Sequence, residues 1–114
     1  MLSQKNRLNR RVFDKIFTGG RFVSGPSFSA KIAVLPSQTG GPRFAVVIAK
    51  KHLPRAVDRH RLRRRVYDVI GGLIGQLRPG FAMIVLVKPE LTQMAVIDLS
   101  ASLKAFFKQQ DLFL

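Results

Sequence analysis

Residues 54–77 read PRAVDRHRLRRRVYDVIGGLIGQL, and this stretch predicts a helix that is apolar on one side and strongly basic on the other. Pro54 suits the first helical position, where its missing N–H costs nothing, and Asp58 in the next turn has the right sign for the helix dipole. Apolar residues recur at intervals of four, three, four and four. They form a stripe that should pack on a sheet: Leu62, Val66, Val69, Leu73 and Leu77.

The segments before this helix predict another helix and two or three strands. Residues 9–18 carry four apolar side chains on one helical face, and a glycine pair then stops the helix: Val12, Phe13, Ile16 and Phe17. Residues 27–35 alternate between apolar and small or polar side chains, as a half-buried strand does. A turn-rich segment at 36–42 leads to a second strand at 43–50, so these two strands are expected to form a hairpin. Residues 21–24 add an edge strand.

The segments after the basic helix predict a strand and a terminal helix. Residues 81–88 are apolar almost throughout, which suits an interior strand covered on both faces. Ser100 is the expected N-cap of the last helix, which carries Leu103, Phe106 and Phe107 at helical spacing. The predicted fold class is α+β, in the order α-β-β-β-α-β-α, with a mixed sheet of about four strands and helices packed on it. The 114 residues fit a single domain, 1–114.

The charge of the chain is strongly positive and concentrated in two places. The sequence holds 20 Lys and Arg against 6 Asp and Glu, a formal net charge of +14. Residues 1–21 hold six cations and one acid, and residues 50–65 hold eight and one, so the two segments carry +12 of the total. A localised positive charge of this size predicts a polyanionic partner and indicates a nucleic acid.

The basic side chains of the helix stand one turn apart and repel one another. Two such pairs are Arg59 with Arg63 and Arg61 with Arg65. Each like-charge pair destabilises an isolated helix by roughly 0.2–0.5 kcal/mol, a penalty that bound phosphates would reverse. The alternative is a solvated basic face that binds nothing in particular, but a second basic segment elsewhere in the chain argues against it. The predicted RNA-binding residues are Lys50, Lys51, Arg55, Arg59, His60, Arg61, Arg63, Arg64 and Arg65.

A second candidate surface lies on the first predicted helix. Phe13 and Phe17 stand one turn apart and are flanked by Arg10 and Arg11. Aromatic residues in this setting either pack in the core or form a platform on which unpaired bases stack, a contact worth roughly 1–3 kcal/mol per base. Lys31 interrupts a small or apolar strand face, and either ends in solvent or lines a groove beside the two rings.

The residues that an enzyme would need are missing from the sequence. The chain has no Cys and only two His, and its six acids are scattered singly, so the sequence predicts neither a metal site nor a catalytic centre. It contains no Walker loop and no nucleophile elbow. The longest apolar run, Phe81–Val87, is too short to cross a bilayer, and the N-terminus lacks a secretory pattern. A cytoplasmic protein without a membrane partner is expected.

Several motifs follow one another in a recognisable order. A strand ending in Lys50-Lys51 leads to the run Arg-Ala-Val-Asp-Arg-His-Arg-Leu-Arg-Arg at 55–64. The other motifs are Asn6-Arg7-Leu8, the spacing Phe13-x3-Phe17-x2-Gly20, Phe28 and the segment 44–51. In these motifs, and over nearly the whole chain from about Lys5 to about Lys108, the sequence resembles the protein subunit of bacterial ribonuclease P.

The resemblance implies a function and a fold. Ribonuclease P is an endoribonuclease that removes the 5′ leader from precursor tRNA, and a large RNA carries its active site and uses Mg²⁺. The protein subunit assists that RNA, contributes no catalytic residues, and binds no cofactor or small-molecule substrate of its own. The implied partners are the catalytic RNA and precursor tRNA. The implied fold is a sandwich like domain 2 of ribosomal protein S5, with a left-handed β-α-β crossover.

The resemblance also implies roles for individual residues. On the basic helix, the residues that would meet the catalytic RNA are Arg59, His60, Arg61, Arg63 and Arg64. A cleft between the first helix and the sheet would hold the single-stranded leader, lined by Phe13, Phe17 and Lys31, with Lys50 and Lys51 near its edge. Two positions depart from the family pattern: His60 stands in place of Asn, and Ala82 in place of an Asp that many relatives have before the last strand.

The charge pattern by itself leaves other functions open. A ribosomal or other structural RNA-binding protein without a processing role would show the same two basic segments. A DNA-binding helix module would also present a row of cations on one helix.

Overall fold

The computed structural model describes residues 4–34, 42–88 and 96–114. In chain order its helices and strands are α1 (Arg10–Gly19), β1 (Arg21–Ser24), β2 (Phe28–Val34), β3 (Arg43–Ile48), α2 (Ala56–Leu73), β4 (Phe81–Val87) and α3 (Val96–Gln109). Short 3₁₀ turns at Gln4–Asn6 and Ile74–Gln76 precede α1 and follow α2. The predicted element order and the α+β class are confirmed. The predicted turn at 36–42 lies, except for its last residue, outside the described residues.

The four strands form one mixed sheet in the order β1-β2-β4-β3. β1 pairs antiparallel with β2, β2 antiparallel with β4, and β3 parallel with β4. The predicted hairpin between 27–35 and 43–50 is therefore wrong, because β4 lies between these strands. β4 is apolar along both faces, and such a strand is most stable in the interior of a sheet, where both of its edges are paired and both faces are covered. β3, α2 and β4 thus form a β-α-β unit, whose left-handed sense stays a prediction from the resemblance.

The basic helix α2 packs on the sheet through its apolar stripe. Its N-cap is Arg55, whose side chain makes no capping hydrogen bond, so Pro54 lies outside the helix rather than at its first position. Four of the five predicted stripe positions lie on α2 and pack on the core, although Val69 does so only partly. Leu77 is also buried, but it lies beyond the helix, which ends at Leu73, so the predicted extension of the helix to Leu77 is wrong. Ile70 joins them as a fully buried side chain that the predicted stripe did not include.

The face of the sheet beneath α2 and α3 is closed by phenylalanine rings. Phe44 of β3 meets Phe81 edge to face and stacks on Phe107 of α3, with ring centroids 5.7 Å apart in both pairs. Phe28 and Phe106 approach to 5.9 Å. All five rings are buried, so the principal core of the protein lies on this side of the sheet.

The terminal helix α3 begins at Val96, four residues before the predicted cap. Ser100 therefore lies inside the helix, and its assignment as the N-cap is wrong. Asp98 stands in the first turn, where a negative charge favours a helix start. Leu103, Phe106 and Phe107 are buried as predicted.

The opposite face of the sheet is covered in part by α1. Ile16, the buried residue of this helix, packs with Ala82 and Ile84 of β4, and Val12 and Phe13 pack partly against the same cluster. Ala82 lies within β4 rather than before it and has no exposed surface. An acid at this position would therefore place a carboxylate among apolar side chains, which is unfavourable without a partner.

Candidate nucleic-acid interface

The sheet face beside α1 carries a row of side chains that continues beyond the helix. In the strand register, Phe22 of β1 lies opposite Lys31 of β2, which lies opposite Ile84 of β4. Residues directly opposite one another on antiparallel strands point to the same face of the sheet. Phe22 and Lys31 are therefore neighbours on the face that α1 covers only in part.

Lys31 connects this row to the end of α1. Its Nζ donates a hydrogen bond of 2.6 Å to the carbonyl oxygen of Phe17 and lies 5.3 Å from the centroid of the Phe17 ring. The ammonium group thus supplies a donor to one of the last carbonyls of the helix, where a cation is favoured by the helix dipole. Lys31 thus lies beside the Phe17 ring, and its lining of a groove for a ligand stays a prediction.

The aromatic residues of this region form a strip with a covered end and an exposed end. The ring centroids of Phe13 and Phe17 are 5.7 Å apart, at an interplanar angle of 46°. Phe13 is partly buried against the α1 cluster, whereas Phe17 is 41% exposed and Phe22 is 58% exposed. We call the surface formed by Phe13, Phe17, Phe22 and Lys31 the α1 cleft. At its outer end two partly exposed rings lie on the same side of the sheet as a positive charge.

Phe22 was not among the residues predicted from the sequence. The signal for it was present, since a Phe in a four-residue edge strand has little core to enter. Recognising its position required the pairing of β1 with β2, which places it next to Lys31.

The two arginines assigned to the cleft lie on different sides of α1. Arg10 stands two turns before Phe17, on the same side of the helix, and its Nε is 3.8 Å from the carboxylate of Asp14. Both members of this ion pair are largely exposed, so it contributes little to stability. Arg11 is exposed and lies about 100° further round the helix, which directs it away from the sheet.

On α2, two of the arginines are tied to backbone carbonyls. A terminal nitrogen of Arg59 donates to the carbonyl oxygens of Leu53 and Pro54, at 2.9 and 2.7 Å. The Nε of Arg63 donates to the carbonyl oxygen of Val46, at 3.3 Å. Both side chains are half-buried. They join the helix to the preceding turn and to β3, so part of the predicted RNA-binding set also has a structural role.

The other cations of this region point into solvent. Arg61 and Arg65 are exposed on the flank of α2 that borders Leu53 and Asp58. Arg55 is also exposed and lies 3.7 Å from Asp58. Lys50 and Lys51 are exposed in the turn that follows β3. These residues are the ones most available to the phosphates of a large partner.

His60 and Arg64, which the helical spacing places one turn apart, are in contact. The Nη2 of Arg64 lies 3.3 Å from the Nε2 of His60. A guanidinium group can only donate hydrogen bonds, so a hydrogen bond between these two atoms needs Nε2 as its acceptor. Both side chains are exposed.

The outer edge of β3 is covered by α2 and by the segment that precedes α1. The backbone N–H of Val46 donates to the hydroxyl of Tyr67 at 3.2 Å, beside the bond from Arg63. The N–H of Leu8 donates to the carbonyl oxygen of Phe44 at 2.9 Å. This cover protects a strand edge that could otherwise pair with another chain. It also brings Arg7 to α2, with its guanidinium carbon 5.6 Å from the centroid of the Tyr67 ring.

Arg7 is a second residue that sequence reasoning left out of the site, although it stands within one of the motifs that carry the resemblance. Its distance from α2 along the chain concealed its contact with Tyr67. The local bridge between Arg7 and Phe44 is what places it there.

Two other features are absent from the part of the chain that the structure describes. Within it, no three His, Asp or Glu side chains converge in a way that could hold a metal ion. No helix in the same residues is both long and apolar enough to span a membrane.

Comparison with known proteins gives a consistent result. The profile of the family described as Ribonuclease P matches residues 2–111. A ribonuclease P protein component of Synechococcus elongatus is 37% identical over 113 residues, covering 95% of this chain and 86% of the relative. One of Thermobifida fusca is 32% identical over 110 residues, covering 90% of this chain and 74% of the relative.

Solved structures share the fold. The RNase P protein of Staphylococcus aureus superposes with a TM-score of 0.81 at 19% identity, covering 96% of this chain and 98% of that one. The RNase P protein of Thermotoga maritima gives a TM-score of 0.78 at 22% identity, covering 90% and 96%. The family profile spans both the α1 cleft and the basic helix, and the chain therefore belongs to the Ribonuclease P family of proteins.

Proposed function

We propose that this chain is the protein subunit of a ribonuclease P and assists a catalytic RNA in removing the 5′ leader from precursor tRNA. The observation that carries the proposal is the family match over residues 2–111, which contains both candidate RNA-binding surfaces. In this assignment the protein is a non-catalytic subunit of an endoribonuclease. Its partners are the catalytic RNA and precursor tRNA.

The two surfaces suit two different parts of an RNA partner. The exposed cations of α2 and of the turn before it neutralise the backbone of a folded RNA, since phosphate contacts supply most of the affinity of such complexes. The α1 cleft has exposed rings beside an ammonium group, and unpaired bases stack on such rings while the cation attracts their phosphates. We therefore assign the folded catalytic RNA to α2 and the single-stranded leader to the α1 cleft.

The chemistry of cleavage belongs to the RNA in this proposal. Mg²⁺ would be held by the catalytic RNA, and the acids of the protein, which are scattered singly along the chain, take no part in binding it. The protein contributes affinity for the substrate and screens the repulsion between two polyanions. It thereby lowers the Mg²⁺ concentration that the RNA needs.

Reconstitution with the catalytic RNA from the same organism tests the proposal. We expect the protein alone to cleave nothing, and the mixture to remove the leader from precursor tRNA at an Mg²⁺ concentration at which the RNA alone is inactive. Precursor tRNA should bind the assembled enzyme more tightly than mature tRNA. A protein that rescues no cleavage and co-purifies with ribosomal RNA would instead be a structural RNA-binding protein. Equal affinity for precursor and mature tRNA would contradict the role of the α1 cleft.

A further inference from the structure

The strand β1 carries Phe22 of the α1 cleft, although it is a short strand with little buried surface. It is four residues long and lies at the edge of the sheet, and within the described residues it pairs with β2 alone. Val23 packs partly on the core, whereas the other three residues are exposed. An edge strand of this kind opens locally at a low cost in free energy. The position of Phe22 therefore depends on what holds the two ends of β1.

The first end of β1 follows directly from α1. The backbone N–H of Gly20 donates to the carbonyl oxygen of Ile16 at 2.8 Å, so the chain leaves the helix in a fixed direction. The other end leads into a tight turn, in which the N–H of Gly25 donates to the carbonyl oxygen of Phe28 at 2.7 Å. This turn joins β1 to β2.

Lys88 connects this turn to the end of β4. Its backbone N–H donates to the carbonyl oxygen of Ser27 at 3.1 Å. Its Nζ donates to the hydroxyl oxygen of Ser24 at 3.0 Å and to the carbonyl oxygen of Gly25 at 2.5 Å. One residue thus bonds to both sides of the turn, although β2 separates its own strand from β1.

The side chain of Lys88 crosses the open face of the sheet to reach β1. In the strand register, Ser24 lies opposite Ser29, which lies opposite Leu86, so these three side chains share a face. Lys88 comes two residues after Leu86, and Phe22 comes two residues before Ser24. Side chains two residues apart in a strand point to the same side. Lys88, Ser24 and Phe22 therefore all lie on the face that carries the α1 cleft.

We propose that Lys88 is a positioning residue for the single-stranded leader, because it holds β1 through Ser24 and Gly25 and so fixes the Phe22 ring beside Lys31 before RNA binds. The inference rests on the proposed function, in which the leader occupies the α1 cleft. A ring whose backbone is already ordered loses less conformational entropy when a base stacks on it. Lys88 thus raises the affinity for the leader through β1.

Amide hydrogen exchange of the free protein tests whether Lys88 holds β1. Lys88→Met removes the two side-chain hydrogen bonds to the turn and keeps the apolar stem. The amide of Gly25 should then exchange roughly 2- to 13-fold faster for each bond whose contribution is lost. The amide of Ile84, in the middle of β4, should exchange as in the wild type. The matched control is Lys104→Met, which makes the same charge change at an exposed position on α3 and should leave Gly25 unaffected. Unchanged exchange of Gly25 in Lys88→Met would overturn the proposal.

A double-mutant cycle tests whether Lys88 acts through Phe22. In the enzyme reconstituted with its catalytic RNA, Lys88→Met should weaken the binding of precursor tRNA roughly 2- to 13-fold, the cost of ordering one side chain on binding. The binding of mature tRNA should not change. In a Phe22→Ala background the same substitution should have no further effect, because the ring that Lys88 positions is gone. Equal losses in the two backgrounds would show that Lys88 attracts the leader independently of Phe22, which contradicts the proposal.

Ser24→Ala separates positioning from charge. It removes the hydroxyl that accepts from Lys88 and leaves the ammonium group in place. We expect it to weaken the binding of precursor tRNA, but less than Lys88→Met does, because the bond to Gly25 remains. A loss in Lys88→Met with none in Ser24→Ala would assign the effect to charge and refute the proposal.

The same samples distinguish a failure of this inference from a failure of the proposed function. Wild-type protein that supports leader removal, with Lys88→Met equal to it in Gly25 exchange and in precursor binding, would refute the role of Lys88 and leave the function standing. Wild-type protein that supports no leader removal, although Lys88→Met speeds the exchange of Gly25, would refute the proposed function and leave the hold of Lys88 on β1 standing.

Discussion

The two faces of the sheet are made from alternate residues of the same strands, and they are covered very differently. On one face α2 and α3 close over rings such as Phe44 and Phe107, which have no exposed surface and stack on each other. On the other face α1 packs on Ala82 and Ile84. Phe17 of α1 and Phe22 of β1 remain partly exposed beside Lys31. Phenylalanine thus packs the core on one face of the sheet and is exposed on the other. The difference depends on how completely helices cover each face.

This difference explains how a small chain can stabilise its fold and still expose aromatic residues. The buried face supplies the apolar area that offsets the entropy of folding. The α1 face contributes only a small packed cluster around Ile16, so the rest of its surface is available for ligands. If the two faces differ in this way, substitutions on them should affect different measurements.

The largest effect is expected from Phe107→Ala on the closed face. Phe107 is fully buried and packs against Phe44, so truncation should lower the free energy of unfolding by about 3–5 kcal/mol. Phe17→Ala, on the open face, should lower it by only about 1 kcal/mol, since it loses part of one ring contact. Denaturant titration of both variants measures the contrast. Similar losses would mean that Phe17 belongs to the core.

Phe17→Ala and Phe22→Ala should show their main effect in RNA binding. Each should weaken binding of precursor tRNA to the reconstituted enzyme by about 1–3 kcal/mol, the value of one stacked base, and leave mature tRNA unaffected. Val34→Ala is the control, because Val34 is an exposed apolar residue of β2 that lies outside the cleft. Weakened binding of mature tRNA to the same extent would contradict a role confined to the leader.

The elements of the fold were largely predictable from the sequence, whereas the sheet order was not. The periodicity of Leu62 and Val66 and the continuous apolar run of β4 are local signals, and both were read correctly. Whether β2 pairs with β3 or with β4 depends on contacts between distant segments. The turn-rich segment at 36–42 favoured a hairpin, but the need to cover both sides of β4 prevailed.

The candidate site shows a similar limit. The arginine run was evident, but the sequence treats Arg59 and Arg61 alike. Only the structure shows Arg59 bonded to backbone carbonyls and Arg61 in solvent. Arg7 and Phe22 were missed because a bridge to β3 and the pairing with β2 bring them to the site, and neither is visible in local spacing.

The helix α2 closes the core on one side and bears charge on its outer side. Substitutions of Arg59 and Arg61 should separate a structural role from phosphate binding. The affinity of the intact protein for the catalytic RNA should fall roughly 10³- to 10⁵-fold between 50 and 200 mM salt if six to ten phosphates are engaged. Arg61→Ala should reduce the slope of log affinity against log salt by about one. Arg59→Ala should instead lower the free energy of unfolding by about 1 kcal/mol, through its two lost carbonyl contacts. If Arg59→Ala reduced the salt slope instead and left the free energy of unfolding unchanged, Arg59 would exchange its carbonyl partners for phosphates on binding.

The smallest effect is expected from Lys31→Met, which keeps the apolar stem and removes the ammonium group. The loss of its hydrogen bond to the Phe17 carbonyl and of its contact with the ring should lower the free energy of unfolding by about 0.5–1 kcal/mol, because both contacts face solvent. Lys31→Met should also weaken the binding of precursor tRNA, because it removes a positive charge from the α1 cleft. Lys31→Arg keeps a donor and a positive charge, so it should restore most of the stability and of the affinity for precursor tRNA. A loss in Lys31→Met comparable to that of Phe107→Ala would mean that the α1 face is as tightly packed as the other. The division of the sheet into a closed and an open face would then be wrong.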